Sequence, residues 1–375
     1  MTRKPDGPLR KGWTTGACAT AATRAAWQAV LSGDFPNPVT ITLPRGETPS
    51  FKLVKAEIGD GWARASVIKD AGDDPDVTHG AEIISTVRIG KPGNGITFHA
   101  GAGVGTITKP GLPLPPGEAA INPKPREMMV GQITELCDQF GAKPDAEIEI
   151  SIPGGQEIAA KTWNGRLGIV GGLSVLGTTG IVIPFSCSAW IHSIHRGVDV
   201  ARATGRKHVA GATGKTSESA IRAFYDLPEE AVLDMGDFVG GMLKYLRKNP
   251  VDFVSISGGF AKLVKLAQGH LDLHSSRSQV DFNRLAQTVE TCGGDETLQT
   301  QVRNANTAKQ VLELCQAANV MIEQTIARQA FESARATLDG ACAVEIVITD
   351  RNGTIIARHG IGDFDQFRTA APNQG

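Results

Sequence analysis

The sequence predicts two domains in series: an α+β domain over residues 1–204 and an α/β domain with a small parallel sheet over residues 205–375. The length of 375 residues suits two domains, since one domain typically takes about 150 residues. In the first half, short strands follow one helix and include a hairpin signal. In the second half, strand, glycine turn and helix recur in succession, which is typical of a parallel sheet.

Composition limits the partners of this chain. Lys and Arg together number 38 and Asp and Glu 39, so no bulk field attracts nucleic acid or an anionic membrane. No apolar run approaches the roughly 20 residues that span a bilayer. The scattered cysteines, without a C-x-x-C pair or a secretory leader, favour a cytoplasmic protein. We therefore expect a small-molecule partner, no nucleic acid and no membrane, and a homodimer is left open.

The first predicted element is a helix that begins within residues 10–18. Thr14 or Thr15 can cap it by accepting a hydrogen bond from a first-turn N–H, and Gly16 keeps side-chain bulk away. A helix start with open N–H donors can hold an anion. A capped, tightly packed helix is the plainer interpretation, since the alanines that follow let the helix lie close to a sheet.

Short strands follow this helix, and Asp60-Gly61 between the second and third indicates an antiparallel hairpin. The predicted strands are 39–43, 51–58, 62–69 and 82–89. Residues 101–126 are rich in glycine and proline, which excludes a helix or central strand and predicts a linker or a shaped wall over a groove. The rest of the domain is predicted as a helix over 126–140, a strand over 146–152, a glycine-studded segment over 166–180 and a helix over 186–203.

The second domain is predicted as three strand-turn-helix units, then helices and a terminal strand or hairpin. The strands of the three units are 208–212, 231–235 and 251–256, and each is followed by a glycine-bearing turn and a helix. The helical segments fill roughly 281–335, and the hairpin strands are 344–349 and 354–357 across Asn352-Gly353.

The turns after the three strands are the predicted ligand site, because ligands of parallel sheets bind beyond the carboxyl ends of the strands. Bare glycine turns expose N–H groups, and an acid after the second strand can accept from ribose hydroxyls. The residues that we predict to bind a cofactor are Gly211, Thr213, Gly214, Asp234, Gly236, Ser257, Gly258 and Gly259. A tight turn with a capped helix and an ordinary solvated aspartate are the structural alternatives.

Other catalytic patterns are incomplete. Gly214-Lys-Thr216 resembles the end of a phosphate-binding loop, but the full pattern needs a glycine where this chain has Val209, which disfavours a nucleotide hydrolase. No G-x-S-x-G elbow is present, so no catalytic side chain is assigned. His192 and His195 lack cysteine or carboxylate partners at zinc-site spacing, so no protein-bound metal is predicted.

Lys262 and Lys265 lie three residues apart just beyond the third strand. On a helix this spacing puts two cations on one face, where they can receive the carboxylates of a substrate. A solvated helix face is the alternative.

Several segments, taken in order, resemble those of one protein family, the CbiD family of cobalamin biosynthesis. They are residues 12–18, 69–78, 108–113, 120–123, 152–155, 167–172, 177–180 and 258–269. They run in order over nearly the whole chain, and as an ordered set they are far more specific than any single glycine motif. The chain departs from the family's pattern at Gly259 and Ala261, where that pattern has histidine and glycine.

The resemblance implies a fold and a reaction. For the fold, it implies a first domain similar to a permuted domain 2 of ribosomal protein S5, followed by a small parallel α/β domain. For the reaction, it implies methylation of C1 of cobalt-precorrin-5B by S-adenosylmethionine, giving cobalt-precorrin-6A, with cobalt entering inside the substrate. A non-catalytic tetrapyrrole carrier or scaffold of the same pathway is the alternative.

The substrate that the resemblance implies carries many carboxylates, which cations and free N–H groups bind well. The residues that we expect to bind it are Thr14, Thr15, Lys109, Arg166, Lys262 and Lys265. We expect the first domain to form the tetrapyrrole side of the cleft and the second domain to form the cofactor side. A sulfonium methyl group is already activated, so positioning can supply most of the catalysis.

Overall fold

The computed structural model describes residues 7–368, which divide into two compact units between Cys187 and Ser188. The division falls after the first residue of the helix Cys187–Ala203, which the sequence prediction included in the first domain. That helix packs within the second unit, because the His195 ring stacks on Tyr245 with the ring centroids 4.0 Å apart. None of the helices in this part of the chain is both long and apolar enough to cross a bilayer.

Unit 1, up to Cys187, combines helices with a mixed sheet. The main sheet has the strand order β4-β5-β6-β9-β7 and is antiparallel except between β9 and β7. In chain order the elements are β1 (Gly12–Trp13), α1 (Thr15–Ser32), β2 (Val39–Thr40), β3 (Ser50–Phe51), β4 (Lys55–Gly59), β5 (Trp62–Ile68), β6 (Glu82–Ile89), β7 (Ile96–Ala100), β8 (Thr106–Ile107), α2 (Pro123–Phe140), β9 (Ala146–Ser151), α3 (Gly155–Ala159), β10 (Ile169–Val170) and β11 (Ile181–Val182).

The predicted hairpin at Asp60-Gly61 is confirmed. Strands β4 and β5 pair antiparallel with Gly59 opposite Trp62, and Gly61 has the positive φ of +70° that such a turn requires. The single strand predicted over 51–58 is wrong. Residues 50–51 pair with β2, and a separate strand begins at Lys55, because the chain passes from one sheet to another between them.

The proline-rich segment is ordered, and its end is helical. Helix α2 begins at Pro123 rather than at residue 126, so the prediction that no helix lies within 101–126 is wrong at its last residues. Proline is tolerated in a first helical turn because the N–H that it lacks would have no partner there. The Arg126 guanidinium ties the segment down by donating to the carbonyl oxygens of Ile121 at 2.8 Å and Ala119 at 3.0 Å.

Helix α1 lies deep in the core of unit 1, as its alanines predicted. Ala17, Ala21, Ala25 and Ala29 have no solvent exposure, and the helix packs against β5 and β6. Short side chains allow this close approach, because no long group keeps the helix away from the sheet.

Unit 2, from Ser188, is built on a parallel sheet with the strand order β13-β12-β14-β15-β16. The pairs are parallel except at the edge, where β15 and β16 form the predicted antiparallel hairpin. The elements are α4 (Cys187–Ala203), β12 (His208–Ala212), α5 (Lys215–Tyr225), β13 (Val232–Asp234), α6 (Val239–Lys248), β14 (Phe253–Gly259), α7 (Phe260–Ala267), α8 (Phe282–Thr291), α9 (Glu296–Arg303), α10 (Ala308–Ala317), α11 (Glu323–Leu338), β15 (Ala343–Thr349) and β16 (Ile355–Gly360), with short 3-10 helices at Glu229–Ala231 and Phe364–Phe367.

The three predicted strand-turn-helix units are confirmed, with one difference. Ser257, Gly258 and Gly259, predicted as a turn, are the last residues of β14, and α7 follows at Phe260 without an intervening loop. The strand can continue through these glycines because β15 pairs with them, with Gly258 opposite Ile348 and Gly259 opposite Thr349.

The parallel sheet contains a buried imidazole. His208 is 4% exposed, and its Nε2 lies 2.8 Å from Ser255 Oγ, while its Nδ1 has no hydrogen-bond partner. The ring is surrounded by the aromatic rings of Tyr225, Phe364 and Phe367. Burial in this apolar site lowers the pKa of His208 to about 4.

We expect the free energy of unfolding to fall as the pH drops from 6.5 toward about 4. The pKa of His208 is lower in the folded than in the unfolded state, so in this interval the unfolded state binds more protons and gains relative stability. Urea denaturation at pH 7 and pH 5 measures the loss. His208→Gln, which cannot titrate, should show a smaller loss, and an equal loss in both proteins would contradict the assignment to His208.

Candidate functional site

The strand order of unit 2 creates a switch point at the carboxyl end of β12. The chain leaves β12 toward β13 on one side and returns to β14 on the other, so the connections diverge there. Ligands of open α/β sheets bind in the crevice outside such a point. The predicted cofactor residues lie on the ends of these three strands and on the turns after β12 and β13.

Backbone hydrogen bonds bring these strand ends together. The Thr213 N–H donates to the Ser257 carbonyl oxygen at 2.9 Å, which joins the turn after β12 to β14. The N–H groups of Met235 and Gly236 both donate to the Ala212 carbonyl oxygen, at 3.0 and 3.2 Å. Residues from three separate stretches of sequence therefore share one edge of the sheet.

The glycines at this edge are of two kinds. A Cβ placed on Gly211 would lie 2.5 Å from Met242 Sδ, and one on Gly258 would lie 2.9 Å from Thr213 Oγ1, so both positions are filled by packing. A Cβ on Gly214 or Gly259 would have no atom within 4 Å. The open pair offers backbone that a ligand can approach closely, which is the usual function of glycine at such turns.

Ser257 has a packing function within the fold. Its side chain has no solvent exposure, and its Oγ donates to the Ser217 carbonyl oxygen at 3.0 Å. Ser217 Oγ in turn donates to the Gly214 carbonyl oxygen at 2.9 Å. These bonds hold the start of α5 on β14 and fix the position of the Gly214 turn.

Asp234 ends β13 at the edge of the parallel strands. Its carbonyl oxygen accepts a hydrogen bond from Trp190 Nε1 at 2.9 Å. Sequence reasoning missed Trp190, because the residue lies on α4, which the prediction placed in the first domain, and no motif marks it.

The two lysines of α7 are engaged within unit 2. Lys262 Nζ pairs with Asp237 and donates to the Leu273 carbonyl oxygen at 3.2 Å. Lys265 Nζ donates to the same oxygen at 2.9 Å, and burial lowers its pKa. A substrate carboxylate would have to compete with these partners for the ammonium groups.

Thr14 and Thr15 lie buried at the start of α1, with 8% and 4% exposure. Thr14 is the N-cap, and its Oγ1 accepts from the Ala17 N–H at 3.2 Å. The Gly16 N–H donates to the Leu176 carbonyl oxygen at 2.9 Å. The segment around residue 176 therefore covers this helix start, and a bound carboxylate would have to displace it.

Lys109 and Arg166 both lie against the glycine-studded segment of unit 1. The aliphatic stem of Lys109 packs on Gly168, where a Cβ would lie 2.5 Å from Lys109 Cγ. The Arg166 guanidinium lies over the Trp163 ring, 5.7 Å from its centroid. Both side chains are half-buried.

The acidic run after β5 forms a closed loop in unit 1. Hydrogen bonds from the Arg10 guanidinium lower the pKa of Asp70 to about 2. Lys69, 1% exposed, pairs with Asp76, and Asp74 accepts from the Phe185 N–H at 2.7 Å. Within residues 7–368, no three His, Cys, Asp or Glu side chains are grouped so that they could hold a metal ion.

Unit 2 also has two clefts away from the switch point. One, of about 190 Å³, is lined by residues that include Arg284, Thr288 and Gln329. The other, of about 550 Å³, lies at the amino end of β15 beside Ala343. Neither contains a predicted site residue, and ligands of parallel sheets bind at the carboxyl ends, so we place the candidate site at the switch point.

Unit 2 thus belongs to the class of α/β units whose sheet offers a glycine-lined switch point to a ligand. The family model described as CbiD matches residues 2–184, and the model described as CbiD, C-terminal domain, matches residues 272–360. The chain belongs to the CbiD family.

Similar proteins extend over most of the chain. The cobalt-precorrin-5B C(1)-methyltransferase of Brucella anthropi is 62% identical over 93% of this chain and 95% of its own length. The protein of the same name from Brucella canis is 61% identical, again over 93% of this chain and 95% of its own length. A solved structure, that of the cobalamin biosynthesis protein (cbiD) of Archaeoglobus fulgidus, is 28% identical in sequence, with a TM-score of 0.39. The match covers 72% of this chain and 84% of the chain in that structure.

Proposed function

We propose that this chain is a cobalt-precorrin-5B C1-methyltransferase that acts in cobalamin biosynthesis. It transfers a methyl group from the sulfonium of S-adenosylmethionine to C1 of cobalt-precorrin-5B, which gives cobalt-precorrin-6A and releases S-adenosylhomocysteine. The observation that carries the proposal is the 62% identity over 93% of the chain to the Brucella anthropi protein of that name. Cobalt belongs to the substrate in this proposal.

Positioning is the main contribution of the protein to this reaction. S-adenosylmethionine, when bound, supplies a methyl group that is already activated by its sulfonium. The chain must hold the ring carbon in line with that methyl group and keep water away, which can supply many orders of magnitude of rate without a catalytic acid or base. No side chain is assigned a proton transfer.

We propose that the cofactor binds at the carboxyl edge of unit 2. The open backbone at Gly214 and Gly259 suits the close approach of a ligand, and the Asp234 carboxylate suits ribose hydroxyls. Gly211, Ser257 and Gly258 would act by shaping this edge, since their positions are already filled by packing. The remaining members of the proposed cofactor set are Thr213 and Gly236.

We propose that unit 1 forms the tetrapyrrole side of the cleft. Lys109 and Arg166 would supply cations for substrate carboxylates beside one glycine-rich segment. Thr14, Thr15, Lys262 and Lys265 belong to the same proposed set, but each would first have to exchange an internal partner or emerge from burial.

For the fold of unit 1, we propose a permuted version of domain 2 of ribosomal protein S5. Helix α1, packed across β5 and β6 of the mixed sheet, supports this topology. We also propose a cytoplasmic location, which the free thiols of all six cysteines support. A homodimer stays a prediction.

Incubation of the full chain with S-adenosylmethionine and cobalt-precorrin-5B tests the activity. We expect mass spectrometry to detect a product that carries one additional methyl group. When the donor methyl group carries carbon-13, the labelled carbon should be bonded to C1. Tetrapyrrole binding without methylation, and without affinity for S-adenosylhomocysteine in calorimetry, would instead indicate a carrier.

A further inference from the structure

An indole ring lies beside the carboxyl end of β13, at the edge of the parallel sheet. Trp190 reaches this place from α4 and is half-buried. We propose that Trp190 holds the purine ring of the nucleoside cofactor, an inference that rests on the proposed function. It extends that function to a residue that no sequence pattern indicates.

The ring is held by one edge. Its Nε1 donates to the Asp234 carbonyl oxygen at 2.9 Å. A Cβ on Gly236 would lie 3.4 Å from Cζ2, 3.6 Å from Cε2 and 3.7 Å from Nε1, which puts it over one face of the indole near that edge. The turn after β13 therefore fixes the indole and covers part of one face, so the purine would stack on the opposite face.

The neighbouring turn adds a second aromatic ring. The Phe238 ring centroid lies 6.4 Å from that of Trp190, with the two planes inclined by 56°. Gly236, two residues before Phe238, has a φ of +53°, in the left-handed region that suits a tight turn. Two half-buried aromatic side chains thus adjoin the end of the strand that carries Asp234.

The chemistry of a nucleoside matches this order of groups. An acid at the end of the second strand of such a sheet accepts from ribose hydroxyls, and the base attached to that ribose must lie within one sugar length of it. Purines stack on aromatic faces, and a fixed indole loses little entropy on binding. The ribose at Asp234 therefore places the purine beside Trp190.

Trp190→Leu tests the proposal in the full chain. We expect its affinity for S-adenosylhomocysteine and for 5′-methylthioadenosine, which lacks the amino-acid part, to fall by about tenfold each in calorimetry. The KM for S-adenosylmethionine should rise by a similar factor with little change in kcat, because stacking is present before and during transfer. Trp62→Leu, a half-buried tryptophan of β5, is the matched control and should keep both affinities.

A conservative pair of variants covers the case in which Trp190→Leu fails to fold. Either ligand should change the tryptophan emission of the wild type and of Trp62→Phe, but not that of Trp190→Phe. An unchanged affinity in Trp190→Leu, or an emission change that persists in Trp190→Phe, would overturn the proposal while leaving the methyltransferase activity intact. A wild type that transfers no methyl group would overturn the proposed function itself.

Discussion

Replacing Gly259 by valine is expected to lower kcat/KM for S-adenosylmethionine by about a hundredfold and to leave the fold intact. A Cβ at this position has no atom within 4 Å, and the φ of −67° suits valine, so the protein itself tolerates the change. The proposed cofactor would meet the added side chain where it approaches the start of α7. Overpacking of this size costs roughly 3 kcal/mol, which corresponds to the expected factor.

Kinetics with varied S-adenosylmethionine and calorimetry with S-adenosylhomocysteine measure this effect. Gly131→Val is the matched control, because Gly131 is also open, lies on the exposed side of α2 and is outside the proposed site. Wild-type affinity in Gly259→Val would show that the cofactor does not approach this backbone.

Replacing Gly103 by alanine is expected to destabilise unit 1 by about 3 kcal/mol or more. A Cβ there would lie 1.9 Å from the Ile152 carbonyl oxygen, and the φ of +77° is unfavourable for alanine. The three atoms nearest to this Cβ belong to the backbone of Ile152 and Gly155, so no side chain can move to make room.

Hydrogen exchange of the full chain, read separately for the two units, measures the loss in unit 1. Gly131→Ala should instead raise the stability of unit 1 by up to about 1 kcal/mol, because Gly131 is exposed within a helix. Protection of unit 1 that is equal in Gly103→Ala and wild type would refute the close contact at Ile152.

The same packing explains several glycines of the family segments. A Cβ on Gly155 or on Gly172 would lie 2.2 Å from the Gly103 carbonyl oxygen, so three distant segments meet with their backbones in contact. Gly103, Gly155 and Gly172 of unit 1 are thus needed for packing, while Gly214 and Gly259 in unit 2 face open space. All of these residues are glycines, so only their surroundings distinguish a packed position from an open one.

Local patterns predicted what depends on local forces. The hairpin at Asp60-Gly61 and the three strand-turn-helix units follow from turn chemistry and periodicity, and both are confirmed. The meeting of the three strand ends at one edge also followed, because parallel pairing brings those ends together whatever the intervening helices contain.

Features that depend on distant partners were not predictable in this way. The strand β14 continues through Gly258 and Gly259 because β15 pairs with it there, which no local propensity reveals. Trp190 reaches the edge of the sheet because α4 packs on unit 2. The spacing of Lys262 and Lys265 predicted that they share one face of α7. Their common acceptor, the Leu273 carbonyl oxygen, lies in a loop that no sequence pattern connects with them.

The pairing of β1 with β11 has a consequence for the growing chain on the ribosome. Gly12 pairs with Val182 and Trp13 with Ile181, so the first strand made is completed by the last strand of its unit. At about 5–20 residues per second, the beginning of α1 waits roughly 10–30 s for the segment that covers it. Until then the alanine-rich helix lacks its cover, and unit 1 acquires its final form only after almost all of it has been translated.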